Sequence, residues 1–265
     1  MKIKKIYISN YLTFDEIILY LNDFQVITGQ NGSGKKNLAK ALDLFNFVQK
    51  NILELSEIKQ LLESDRNFVL GNSKNTIVSI LTDKDKEISI ELSNDNLKVN
   101  NIKKLGKIKI INFADDYEVF STIDKFIESE KYTSCRKEFK KMLTYIFPHI
   151  KDIIFYKERG IPNYKVKYVY YDKYVSNISQ GERNVIALIS LLFSNYDVLV
   201  ISYPEIGVYY QNYSKIANII SKIAQESQVI VITNTPFIFD FVPKDRFYIV
   251  KRNELGFSII EKVES

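Results

Sequence analysis

Seven residues constrain this chain more than any others. Positions 29–35 read Gly-Gln-Asn-Gly-Ser-Gly-Lys and match the pattern G-x-x-x-x-G-K. An apolar run at 24–28 precedes them. A helical pattern follows over about 36–50, where Leu38, Ala41, Leu42, Phe45 and Val48 recur on one face. That context gives the match its force. Glycines let the loop curl until successive backbone N–H groups face one anion, and the helix behind it adds the positive end of its dipole. Lys35 is then placed to reach the outer phosphates. The expectation is a phosphate cradle made by Gly29, Gln30, Asn31, Gly32, Ser33, Gly34 and Lys35, continued by Lys36 and Asn37. The position after Lys35 departs from the pattern. A Ser or Thr normally stands there with its hydroxyl on Mg²⁺, and here it is Lys36. An ammonium does not ligate a metal ion, and it repels one.

Composition bounds the rest. The chain has 265 residues, 46% of them hydrophobic and 26% charged, a globular balance with material for a buried core. A formal net charge of +5 does not by itself argue for nucleic acid. The single cysteine, Cys135, makes no internal disulfide and reads as a packed or half-exposed thiol. No apolar stretch approaches the ~20 residues of a membrane span. No apolar signal core follows the basic residues at the start. A soluble, cytoplasmic protein is expected.

Periodicity divides the chain into three regions. Strands are expected at 2–9, 14–21 and 24–28, with Asn22-Asp23 as a turn, and a second helix at 51–63. A hairpin is expected from 76–81 and 88–92, a strand at 107–112, and mostly helix over 120–147 closed by Pro148. Paired strands at 153–156 and 164–171 flank a turn at 160–163, and 66–74 reads as a mobile loop. The last third alternates: helix 179–193, strand 198–201, helix 210–224, strand 229–233, then a hairpin from 247–251 and 257–261. Its strands are apolar throughout, as in a parallel sheet buried on both faces. The reading is one α/β domain, with an N-terminal antiparallel lobe at 1–95, a helical and connecting region at 96–171 and a parallel α/β lobe at 172–265.

Three later segments carry further chemistry. Residues 178–182 read Ile-Ser-Gln-Gly-Glu and open a helix. Residues 197–210 read Asp-Val-Leu-Val-Ile-Ser-Tyr-Pro-Glu-Ile-Gly-Val-Tyr-Tyr. Residues 228–240 read Gln-Val-Ile-Val-Ile-Thr-Asn-Thr-Pro-Phe-Ile-Phe-Asp. Taken in order with the phosphate loop and the opening strands, they resemble the prokaryotic ABC-type AAA proteins, the relatives of RecF, SMC heads and OLD-family ATPases. The resemblance spans nearly the whole chain. It implies a P-loop NTPase fold of the ABC head type, with ATP as ligand. It also implies that Ser179, Gln180, Gly181 and Glu182 form a signature-like motif facing the nucleotide of a partner head, in a homo- or hetero-oligomer.

The departures from the family lie on the hydrolysis side. The resemblance puts a Mg²⁺-organising Asp at Ser202, a water-activating Glu at Tyr203 and a γ-phosphate-sensing His at Asn234. With Lys36, four chemical roles have lost their side chain, so no catalytic and no metal-ligating residue is assigned and Mg²⁺ is left without its ligands. Asp197 begins the strand about 16 Å before Ser202 at ~3.3 Å per residue. Glu205 matches the second glutamate of the family motif, and neither carboxylate is expected to substitute. His149, the only histidine, reads as a solvent-facing loop residue. No heptad segment makes a long SMC-like arm. The expectation is a head that binds ATP with little or no hydrolysis and regulates or scaffolds a bacterial DNA-repair or phage-defence assembly. Two other readings stay open: an active RecF- or OLD-type ATPase acting on DNA, and a scaffold with a vestigial pocket.

Overall fold

The computed structural model describes residues 1–50, 75–93, 96–158, 161–174 and 178–263. Strands β1 (Ile3–Tyr11), β2 (Phe14–Tyr20) and β3 (Phe24–Gly29) lead into helix α1 (Lys35–Lys50). Strands β4 (Thr76–Thr82), β5 (Glu87–Leu92), β6 (Leu97–Asn100) and β7 (Ile108–Asn112) follow. Then come α2 (Asp116–Ile127), α3 (Glu130–Ile146), β8 (Ile150–Glu158), β9 (Ile161–Tyr168) and β10 (Asp172–Tyr174). The last part is α4 (Gln180–Leu192), β11 (Val198–Ser202), α5 (Tyr213–Glu226), β12 (Gln228–Ile232), β13 (Phe247–Arg252) and β14 (Ser258–Lys262).

These strands build three sheets, ordered β2-β1-β4-β5-β6, β10-β9-β8 and β14-β13-β3-β12-β11-β7. The six-stranded sheet is parallel from β13 to β7, with β14 antiparallel at its edge. Its strands are apolar on both faces because both are covered. Val26, Leu199, Ile201, Val229 and Val231 point into a core shared with α2, α3, α4 and α5. Their neighbours Ile27, Val198, Val200, Ile230 and Ile232 point into a second core with α1 and the five-stranded sheet. Each such fully buried side chain contributes about 1.5–3 kcal/mol. One buried amide joins the two large sheets: Gln228 accepts from the Ile3 N–H at 2.7 Å and donates to the Ile3 carbonyl at 2.8 Å.

Several expectations change. The residues between β2 and β3 are a crossover, since β2 pairs with β1 in one sheet and β3 lies between β13 and β12 in another. The long helix is two helices. The first ends at Ile127 and the second begins at Glu130, and Ser129 between them donates its hydroxyl back to the Phe126 carbonyl rather than to the second helix. Strand β8 is longer than expected, and 161–163 belong to β9 rather than to a turn. The short strands β6 and β10 had no alternating signal. The expected helix at 51–63 and loop at 66–74 lie outside the described residues. Among the described residues no helix is long and apolar enough to cross a membrane.

Candidate functional site

Strand β3 delivers the glycine-rich loop to the start of α1. Gly29, Gly32 and Gly34 all have positive φ, and two of them have no room for a side chain. A Cβ on Gly29 would lie 2.2 Å from the Val250 carbonyl oxygen, and one on Gly34 would lie 2.1 Å from Ser258 Oγ. The loop is braced from behind by hydroxyls. Ser258 Oγ donates to the Ser33 carbonyl at 2.6 Å and lies 2.7 Å from Thr13 Oγ1, which accepts from Asn37 Nδ2 at 2.8 Å. Arg252, on β13, donates from Nε to the Gly32 carbonyl at 3.1 Å. Sequence reading missed Thr13, Arg252 and Ser258, because nothing local links the first and last hairpins to the loop.

Lys35 is 3% exposed and folds back to donate to the carbonyls of Gly29 and Gln30, at 2.6 and 2.7 Å. Burial lowers its pKa, and the charge of Glu205 works against that. Ser33 Oγ is buried and has no hydrogen-bond partner. A glycine-rich loop at a helix N-terminus, with a buried lysine and an unpartnered hydroxyl within it, is suited to an anion.

Two clefts open at this loop. One, about 470 Å³, is lined by residues 31–37 together with Ala114, Tyr203, Ile206, Asn234 and Arg252. The other, about 600 Å³, is lined by Gln30 and Gly29 among others and shares Asn234 and Arg252. Both are in the size range of small-ligand sites. The structure thus brings together Gly29 to Asn37, Tyr203 and Asn234. Ser202 is buried at the end of β11, and its carbonyl accepts from the Phe113 N–H at 2.9 Å.

Three of the four substituted positions make side-chain contacts. Asn234 donates from Nδ2 to Asn31 Oδ1 at 2.8 Å, tying the loop after β12 to the phosphate loop. Tyr203 is 8% exposed, has φ of 56°, and carries the Lys36 ammonium 5.3 Å from its ring centroid. Glu205 lies close to Lys35 but lines neither cleft. It is 4% exposed, close enough to raise the pKa of Lys35, and its Oε1 accepts from Thr233 Oγ1 at 2.6 Å while Oε2 is unpartnered. Burial pushes its pKa up, opposed by that hydroxyl.

The signature-like residues stand apart; none of 179–182 lines either cleft. Ser179 caps α4 in a reciprocal box with Glu182. A Cβ on Gly181 would lie 2.1 Å from the Gly207 carbonyl oxygen, so α4 sits directly on the loop that carries Tyr203 and Glu205. Asn184 reinforces this by donating to the Ile206 carbonyl at 2.8 Å. His149 is exposed as expected, but it is not idle. Its Nε2 lies 3.0 Å from Glu182 Oε1, and its ring stacks on Tyr168.

A parallel sheet feeds a glycine-rich phosphate loop, with an antiparallel sheet on one side and a helical layer on the other, which is the fold of ABC-type ATPase heads. Solved structures share this fold over nearly the whole chain. The SMC head domain from Thermotoga maritima matches with a TM-score of 0.63 and 17% identity, covering 100% of both chains. An SMC head bound to the C-terminal winged-helix domain of ScpA matches with a TM-score of 0.74 and 16% identity, covering 98% of both. The Pyrococcus furiosus head with an extended coiled coil, bound to the C-terminal domain of ScpA, gives 0.66 and 14% over 98% of this chain and 96% of that one. No family model matches the sequence, and no curated protein matches it.

Proposed function

We propose that this chain binds ATP without appreciable hydrolysis and works as a regulatory or scaffolding head. The observation that carries the reading is a complete phosphate cradle beside hydrolysis positions that are filled but chemically wrong. The Tyr203 ring occupies the general-base position, Asn234 is tied to Asn31, and the carboxylate beside Lys35, Glu205, is buried and hydrogen-bonded to Thr233. Loss of a general base alone costs about 10²–10⁴-fold in rate. Mg²⁺, which the fold family implies, does not fit: Lys36 replaces its hydroxyl and Ser202 its carboxylate. Among the described residues no group of three or more His, Cys, Asp or Glu is placed to hold a metal.

The exposed Ser179 and the half-exposed Gln180 support assembly with a second head, of this chain or another, which this reading adopts together with a bacterial DNA-repair or phage-defence setting. The SMC heads that share the fold were crystallised with ScpA domains, and an analogous non-membrane protein partner fits a scaffolding role. The test is thermal melting with ATP, ADP and GTP alongside a phosphate-release assay. At 100 times Kd, ATP adds about 2.7 kcal/mol, a rise of roughly 5–10 °C. Lys35→Ala abolishes that rise, and phosphate release stays at background. Turnover that disappears in Lys35→Ala would establish an active ATPase instead. The absence of any nucleotide effect would leave the scaffold alone.

A further inference from the structure

Two of the four departures touch each other. Lys36 stands in the metal-ligating position and Tyr203 in the general-base position, 167 residues apart in the chain, and the ammonium of one lies over the ring of the other. The ring is the fixed member. Tyr203 is buried, its N–H donates to the Ile232 carbonyl at 2.7 Å, and its backbone is held in the left-handed region. Lys36 is exposed, and its charge sits at the end of a four-carbon stem, so it is the member able to move. A cation held only by an aromatic face is held weakly and exchanges readily for a phosphate oxygen.

The charge of the cleft points the same way. Lys35, Lys36 and Arg252 line it, and none of its described lining residues is a carboxylate. A triphosphate ordinarily brings Mg²⁺ to neutralise its outer oxygens. Here a fixed positive charge already stands at the head of α1, one residue beyond the lysine of the phosphate loop. A divalent ion in that position would be repelled by it.

We propose that the site takes its nucleotide as the metal-free triphosphate, with the Lys36 ammonium leaving the Tyr203 ring to occupy the place of Mg²⁺. This rests on ATP binding as proposed above. It turns the disagreement with the fold family into a selectivity: the preferred ligand is the free tetra-anion, and Mg²⁺ competes for it rather than bridging it to the protein.

Calorimetric titration of the full chain with ATP, in EDTA and then in excess Mg²⁺, tests this. The wild type binds in EDTA, and excess Mg²⁺, by sequestering the free triphosphate, weakens binding. Removing one charge-assisted phosphate contact costs roughly tenfold or more, so Lys36→Met weakens binding in EDTA by about that factor. Its unliganded melting temperature and circular dichroism verify folding. Lys36→Ser serves as the second variant and gives the same loss. Tightening of the wild type by Mg²⁺ overturns the inference but leaves ATP binding intact, as does unchanged affinity of a folded Lys36→Met. Absence of binding in both conditions overturns the functional reading as well.

Discussion

Tyr203 and Glu205 sit two residues apart and show how little side-chain identity says without position. A bulky residue at φ of 56° carries about 1–3 kcal/mol of strain. That strain belongs to a tight turn in which the Ile206 N–H donates back to the Tyr203 carbonyl at 3.2 Å. The turn carries Glu205 close enough to the Lys35 ammonium for the two charges to interact. Glu205 makes a pH prediction. Its pKa is raised above the ordinary 4.5, first by burial, so the folded state holds its proton more tightly than the unfolded chain. Its contribution to stability is therefore full below about pH 4.5 and is lost as pH rises through the folded value. Urea midpoints followed from pH 4 upward should decline across that window, and Glu205→Gln should remove the decline. A Glu205→Gln profile parallel to the wild type would contradict this. The replaced residues themselves were legible in the sequence. That Lys36 and Tyr203 meet was not, because no period or motif encodes a contact between the start of one helix and a distant strand end.

At the scale of elements, α4 was the most legible and also held a surprise. Its capping box follows directly from Ser179 and Glu182. What the sequence did not show is that Glu182 gathers three further contacts, from His149, the Ser179 hydroxyl and Tyr168. Burial pulls the Glu182 carboxyl up, but the bonds from His149 and Ser179 outweigh it and hold the group below the usual range. Stability from this carboxylate is thus present above about pH 4.5 and lost as pH falls through its depressed value. Glu182→Gln should destabilise at pH 7 by about 1–2 kcal/mol and by progressively less in acid, as measured by urea denaturation. An equal loss at pH 3 and pH 7 would show that only packing is involved. The short edge strands β6 and β10 were missed for an ordinary reason. With four and three residues, they offer too few positions for alternation to register.

The whole molecule is held by strands drawn from opposite ends of the chain. The alternation of apolar strands and helices in the last third announced a parallel sheet, but not that β3 would be inserted into it between β12 and β13. Register of that kind depends on which edges are free in three dimensions, and a single sequence carries no such information. It has a measurable outcome. A chain ended after residue 246 loses β13 and β14, and with them the Ser258 and Arg252 contacts to the phosphate loop. Circular dichroism and urea titration should show no cooperative unfolding transition for this truncation. A cooperative transition with an unchanged midpoint would refute the dependence.

The pairing of Gly29 with Val250 also sets an order of events during synthesis. At ~5–20 residues per second, the ribosome needs roughly ten to forty-five seconds after making the phosphate loop before its closing strand exists. Until β12 is made, the nascent chain carries β3 with both edges unpaired and apolar on both sides, which is the kind of surface that aggregates unless something shields it. The phosphate loop is therefore not braced from behind until β13 and β14 have been made.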